Sequence, residues 1–123
     1  MRRLPLILIE ALAISTICFA GMNDEKEHKI ENIMANTLSS FKDGAATVQV
    51  KDLDVDVDGF KTKVEVELYD GAENTSPDAL QAYAKELADT VRRELGNESK
   101  VLIKIEVDRD GFLGDKKLLK SDF

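Results

Sequence analysis

The chain has 123 residues, 33% of them charged and 43% hydrophobic. That suits one globular domain with a modest core and excludes both a disordered chain and two full domains. The formal net charge of -7 argues against nucleic acid, whose phosphates require clustered Lys and Arg, and against attraction to an anionic membrane surface.

The N-terminus reads as an export segment. Arg2 and Arg3 form a short basic region, Leu4 to Ala20 is mostly apolar, and Cys18-Phe19-Ala20 places small residues where a signal peptidase reads them. Cleavage is expected after Ala20, although Glu10 interrupts the apolar run. Two alternatives stand beside this. Residues 4–22 are long enough for an uncleaved single-span anchor, and the same stretch could be a buried helix of a cytosolic protein. Either membrane reading puts the folded part outside the cytoplasm: periplasmic, secreted or on the outer face of the membrane. Cys18 is the only cysteine, so a chain cleaved after Ala20 has neither a disulfide nor a thiolate nucleophile. The expected organisation is a signal or anchor over residues 1–20, one α+β domain over 21–114 and a charged C-terminal tail over 115–123.

From Asp24 to Phe41 the apolar residues Ile30, Ile33, Met34, Leu38 and Phe41 fall on one helical face. Asp24 with Glu27 fits a capping box, and Lys42-Asp43-Gly44 reads as the helix stop. Ser76-Pro77-Asp78 opens a second helix: a hydroxyl at the cap, proline at the first helical position and an acid in the first turn. Leu80, Tyr83, Ala84, Leu87, Ala88, Val91 and Leu95 form its apolar stripe, and Gly96 closes it.

Between the helices lies an alternating stretch, Thr47 to Leu68. Leu53, Val55 and Val57 share one face of a strand, with Asp54, Asp56 and Asp58 on the other. An Asp58-Gly59 turn predicts a hairpin pairing Val57 with Phe60, Val55 with Thr62 and Leu53 with Val64. Asp56 then faces Lys61, and Asp54 faces Lys63. Val48 and Val50 keep the opposite phase, so a β-bulge is expected near Lys51-Asp52. Val101, Ile103, Ile105 and Val107 predict a third strand. The predicted fold class is α+β: two helices on one face of a small three-stranded sheet, with a four-stranded one as the alternative, in the order helix-strand-strand-helix-strand.

Leu53 to Phe60 recurs as Ile105 to Phe112, 52 residues later. A duplicated helix-plus-hairpin unit would add a fourth strand near Phe112 to Leu119; the plainer explanation is that Asp-Gly turns commonly follow alternating strands. In architecture, two helices over a three-stranded sheet across Lys29 to Asp108 resembles the ring-building motif of secretion and sporulation assemblies. It also resembles the cytoplasmic dimerisation domain of cation-diffusion transporters. Neither resemblance carries a residue motif, so no functional residue transfers.

Asp54-x-Asp56-x-Asp58-Gly59 followed by Glu65 matches a calcium-loop pattern, in which three short carboxylates, a turn glycine and a bidentate glutamate wrap one hard cation. Val55, Val57, Val64 and Val66 require an extended chain instead, which favours a strand face with cross-strand ion pairs. A looser divalent-cation site would use Asp56, Asp58, Asp108 and Asp110. His28, the only histidine, sits among charges and reads as a solvated helix residue. The sequence therefore points to an exported, non-catalytic binding or assembly module of the cell envelope, without a cofactor. Its partner would be another protein or a second copy, met through an exposed sheet edge or the acidic hairpin face. The alternative is a calcium-binding envelope protein using Asp54, Asp56, Asp58, Glu65, Asp108 and Asp110.

Overall fold

The computed structural model describes residues 15–59, 61–109 and 114–123, with side chains from residue 24 onward. Residues 1–14, which hold most of the expected signal or anchor segment, lie outside the described residues, as do Phe60 and residues 110–113. Among the described residues no helix is long and apolar enough to cross a membrane.

The described elements are α1 (Ser15–Thr37), β1 (Ser40–Asp43), β2 (Ala46–Asp58), β3 (Lys61–Leu68), a 3-10 turn (Ala72–Asn74), α2 (Pro77–Leu95), β4 (Lys100–Val107) and β5 (Lys116–Asp122). The strands form one mixed sheet in the order β1-β2-β3-β4-β5. All neighbours are antiparallel except β3 and β4, which run parallel because α2 carries the chain back between them.

This corrects the three-stranded expectation. The order is helix-strand-strand-strand-helix-strand-strand, and the sheet has five strands. The architectural resemblance that rested on three strands falls with it. The first missed strand, β1, lies where a helix end was expected. The helix closes earlier, with the Leu38 N–H donating to Met34 O at 2.7 Å. Phe41 then stacks on Tyr83, ring centroids 4.3 Å apart. Gly44 stops no helix; at φ +63° it turns the β1–β2 hairpin just after Asp43. The second, β5, occupies residues expected as a charged tail, overlaps only in part the fourth strand that a duplicated unit would place near Phe112 to Leu119, and pairs with β4 from Leu102 to Val107.

The core lies between the helices and one sheet face. Ile30 and Met34 of α1, Leu38 just after it, and Leu80, Tyr83, Ala84, Leu87, Ala88 and Val91 of α2 pack on Val55, Val57, Val64, Val66, Leu68, Val101, Ile103, Ile105 and Val107. The α2 signals act as read. Ser76 Oγ accepts the Ala79 N–H at 3.2 Å, and Pro77 holds the first helical position. The register shift between Val50 and Asp52 is the expected bulge, and it lets Val48 and Val50 reach the same core as Val55 and Val57. Tyr83 Oη donates to Leu38 O at 2.6 Å, and Asp43 accepts both the Ser76 N–H and the Ser76 hydroxyl, at 2.9 and 2.8 Å. These bonds tie α2 to the α1–β1 corner.

Candidate functional site

Among the described residues, no element covers the charged sheet face opposite the helices or the outer edge of β5. On the face, the hairpin register differs from the expected one by two residues. Asp58 pairs with Lys61, so the hairpin closes one residue later than expected, with Gly59 at φ +62° just after Asp58. A two-residue slip preserves which side chains share a face, and Val55, Val57, Val64 and Val66 are buried as expected. It changes every charge pair. Asp56 faces Lys63 instead of Lys61, while Asp54 faces Glu65 and Asp52 faces Glu67.

The aspartates of the calcium pattern are therefore spread along an extended strand. Alternate residues stand about 7 Å apart along a strand, so Asp54, Asp56 and Asp58 do not wrap one point. Glu65 joins Asp54 alone. Asp108 lies past the end of β4, where its N–H donates to Leu68 O at 3.0 Å and its carboxylate pairs with Lys51. Asp110 lies outside the described residues. Among the described residues no group of three or more His, Cys, Asp or Glu is arranged to hold a metal ion. His28 is exposed on α1, 3.8 Å from Glu31.

The acids concentrate at one end of this face. Asp52, Asp54, Glu65, Glu67 and Glu106 line a shallow hollow with Lys104. Lys104 is held by Glu106 at 2.9 Å, and this partner raises its pKa. Partial burial, with Glu31, Glu65 and Asp52 nearby, pushes the Asp54 carboxyl above its ordinary value. Burial also raises Glu67, with Asp108 and Asp115 adding to it, whereas the Lys51 ammonium lowers Asp108.

The edges differ sharply. Beyond β1, the outer edge of β2 is closed from Val50 onward. The Val50 N–H donates to Ser39 O at 3.0 Å and the Leu53 N–H to Asp52 Oδ1 at 2.9 Å. The Val55 N–H donates to Glu31 Oε2 at 2.9 Å, and the Val57 N–H to Glu27 Oε2 at 2.7 Å. Helix α1 thus lies along this edge and fills it with carboxylates. At the other side of the sheet, β5 has β4 on one flank and no described strand or helix along the other. Lys116, Lys117 and Lys120 are exposed there and form no ion pair among the described residues.

The hairpin face was legible from the alternation. The β5 edge was not, because its residues read as tail. Comparison with protein families, with curated proteins and with solved structures finds no match for this chain.

Proposed function

We propose that the chain is an exported, non-catalytic binding or assembly module, and that its protein partner adds as a strand to the outer edge of β5. The observation that carries this reading is the contrast between the outer edge of β5 and the stretch of β2 that runs beyond β1. On β2 the outward N–H groups of Val50, Leu53, Val55 and Val57 all have acceptors, whereas the outward groups of β5 meet nothing among the described residues. An unpaired edge offers a ready ladder of donors and acceptors to another chain. The export half of the reading rests on Arg2, Arg3 and the apolar run from Leu4 to Ala20.

The test is a titration of the full chain with a synthetic peptide of alternating glutamate and valine, read by amide resonances. Glutamates suit the exposed lysines of β5. Strand addition predicts shifts along Lys116–Asp122 and none at Val55 or Val57. Shifts confined to the acidic face, or to β2, would contradict the reading.

A second reading is favoured by one feature, the directly opposed acids Asp54–Glu65 and Asp52–Glu67. Like charges across a ladder are destabilising, and a calcium ion over them would relieve the repulsion. A ligand at a hundred times its Kd adds about 2.7 kcal/mol, which in a domain of this size raises the melting midpoint by roughly 10 °C. A rise of that order with calcium, absent with magnesium at equal ionic strength, would favour this second reading.

A further inference from the structure

Strand β5 is self-complementary about Ser121. Val101 and Phe123 exchange both backbone hydrogen bonds, at 2.8 and 3.5 Å. In an antiparallel ladder, a residue that turns one backbone group toward its neighbour turns the other the same way, and the next residue turns both outward. Leu119, Ser121 and Phe123 therefore point their backbone groups at β4, and Lys120 and Asp122 point theirs away. The side chains follow the same alternation. Leu119, Ser121 and Phe123 stand opposite the buried Ile105, Ile103 and Val101 and are themselves half-buried. Lys120 and Asp122 stand opposite Lys104 and Leu102 on the charged face and are exposed.

We propose that a second copy of this chain docks on β5, antiparallel, about a two-fold axis through Ser121. The proposal deepens the binding-module reading and rests on it. In this register Lys120 of each copy faces Asp122 of the other. Both residues turn their backbone groups outward, so each such pair closes a full set of ladder hydrogen bonds. On the helix-side face Leu119 of each copy meets Phe123 of the other, and the two Ser121 side chains meet at the axis. Charges in the paired stretch meet opposite charges, and apolar residues meet apolar ones.

The neighbouring registers lack this match. An axis through Lys120 sets Lys120 against itself, and one through Asp122 sets Asp122 against itself; like charges directly opposite are destabilising. Edge lysines ordinarily discourage edge-to-edge pairing. Here the discouragement is answered by Asp122 in one register, which makes the same residues select it. The sheet then runs continuously through both copies. The paired stretch is short and the area small for a protein interface, so association is weak and set by concentration.

The test is sedimentation of the full chain over a series from micromolar to millimolar concentration, with variants at two exposed positions. The dimer fraction should rise with concentration. Lys120→Asp and Asp122→Lys should each weaken association about tenfold, since each turns both cross-axis pairs into like-charge pairs. The double variant carrying both reversals should recover it, and circular dichroism should show all three folded. A chain that stays monomeric throughout, single reversals without effect, or a double variant that fails to recover would overturn the proposal. If the glutamate–valine peptide shifts the Lys120 and Asp122 amides while the chain stays monomeric, strand addition stands and the second copy is excluded. If the peptide also leaves them unchanged, both readings fall.

Discussion

Glu31 accepts the Val55 N–H and Glu27, one helical turn earlier, accepts the Val57 N–H. The match is geometric. Four residues of helix advance about 6 Å, and two residues of strand advance about 6.7 Å. A helix laid against a strand edge can thus answer every outward N–H with a carboxylate at each i, i+4 position. Strand β2 therefore stays an edge without being available as one.

Removing one of these carboxylates should open the edge locally. Glu31→Ala leaves the Val55 N–H without its charged acceptor, and such a bond contributes about 1.5–3 kcal/mol. The net loss should fall near the bottom of that range, because Asp54 is relieved of a like charge at the same time. Denaturant titration gives the free energy, and faster amide exchange at Val55 gives the location.

The opposed acids predict a stabilising substitution. The folded state holds the Asp54 pKa above its ordinary 3.8, so it binds that proton more tightly than the unfolded chain. The Asp54 contribution to stability must then fall as pH rises through the window just above 3.8 and stay low at neutrality. Asp54→Asn should stabilise the protein at pH 7 by about half a kcal/mol, the scale of a cross-strand pair. The gain should vanish below pH 3.8, where the aspartate is protonated in both states. Thermal melts across that range check the sign.

Asp43 should behave in the opposite sense. Hydrogen bonds from the Ser76 backbone and hydroxyl hold its pKa below 3.8, so its contribution is present above that value and is lost as pH falls through the lower folded one. Asp43→Ala should melt earlier than the parent at pH 7, and the two curves should converge in acid. Ser76→Ala removes the hydroxyl donor to Asp43 and the α2 cap while keeping the backbone N–H; the cap alone contributes about 1 kcal/mol.

Thr62 offers a gain from the core. Its side chain is wholly buried, and its hydroxyl has no hydrogen-bond partner among the described residues. An unsatisfied buried hydroxyl costs about 1–3 kcal/mol. Thr62→Val keeps the shape and removes that cost, so the denaturation midpoint should rise with the slope unchanged.

What could be read from the residues and what could not divide along physical lines. The α2 cap at Ser76, the bulge after Val50 and the buried alternation of β3 and β4 are local patterns, and local patterns survive in sequence. Strand β1 hid because Phe41 also fits the helical period and because Lys42-Asp43-Gly44 suits a helix stop as well as a hairpin turn. Strand β5 hid because it is held chiefly by backbone pairing to β4, with three exposed lysines and only half-buried leucines. The charge pairs on the hairpin were missed for a narrower reason. A turn closed at Asp58-Gly59 and one closed a residue later, with Asp58 paired to Lys61, both place Gly59 in the left-handed region. They bury the same side chains and differ only in which acid meets which lysine.

The claim that β2 is closed and β5 open is tested most directly by residue-resolved amide exchange of the full chain in dilute solution. The N–H groups of Val55 and Val57 should be protected, and those of Lys120 and Asp122 should exchange freely. Free exchange at Val55 and Val57 with protection at Lys120 and Asp122 would contradict it.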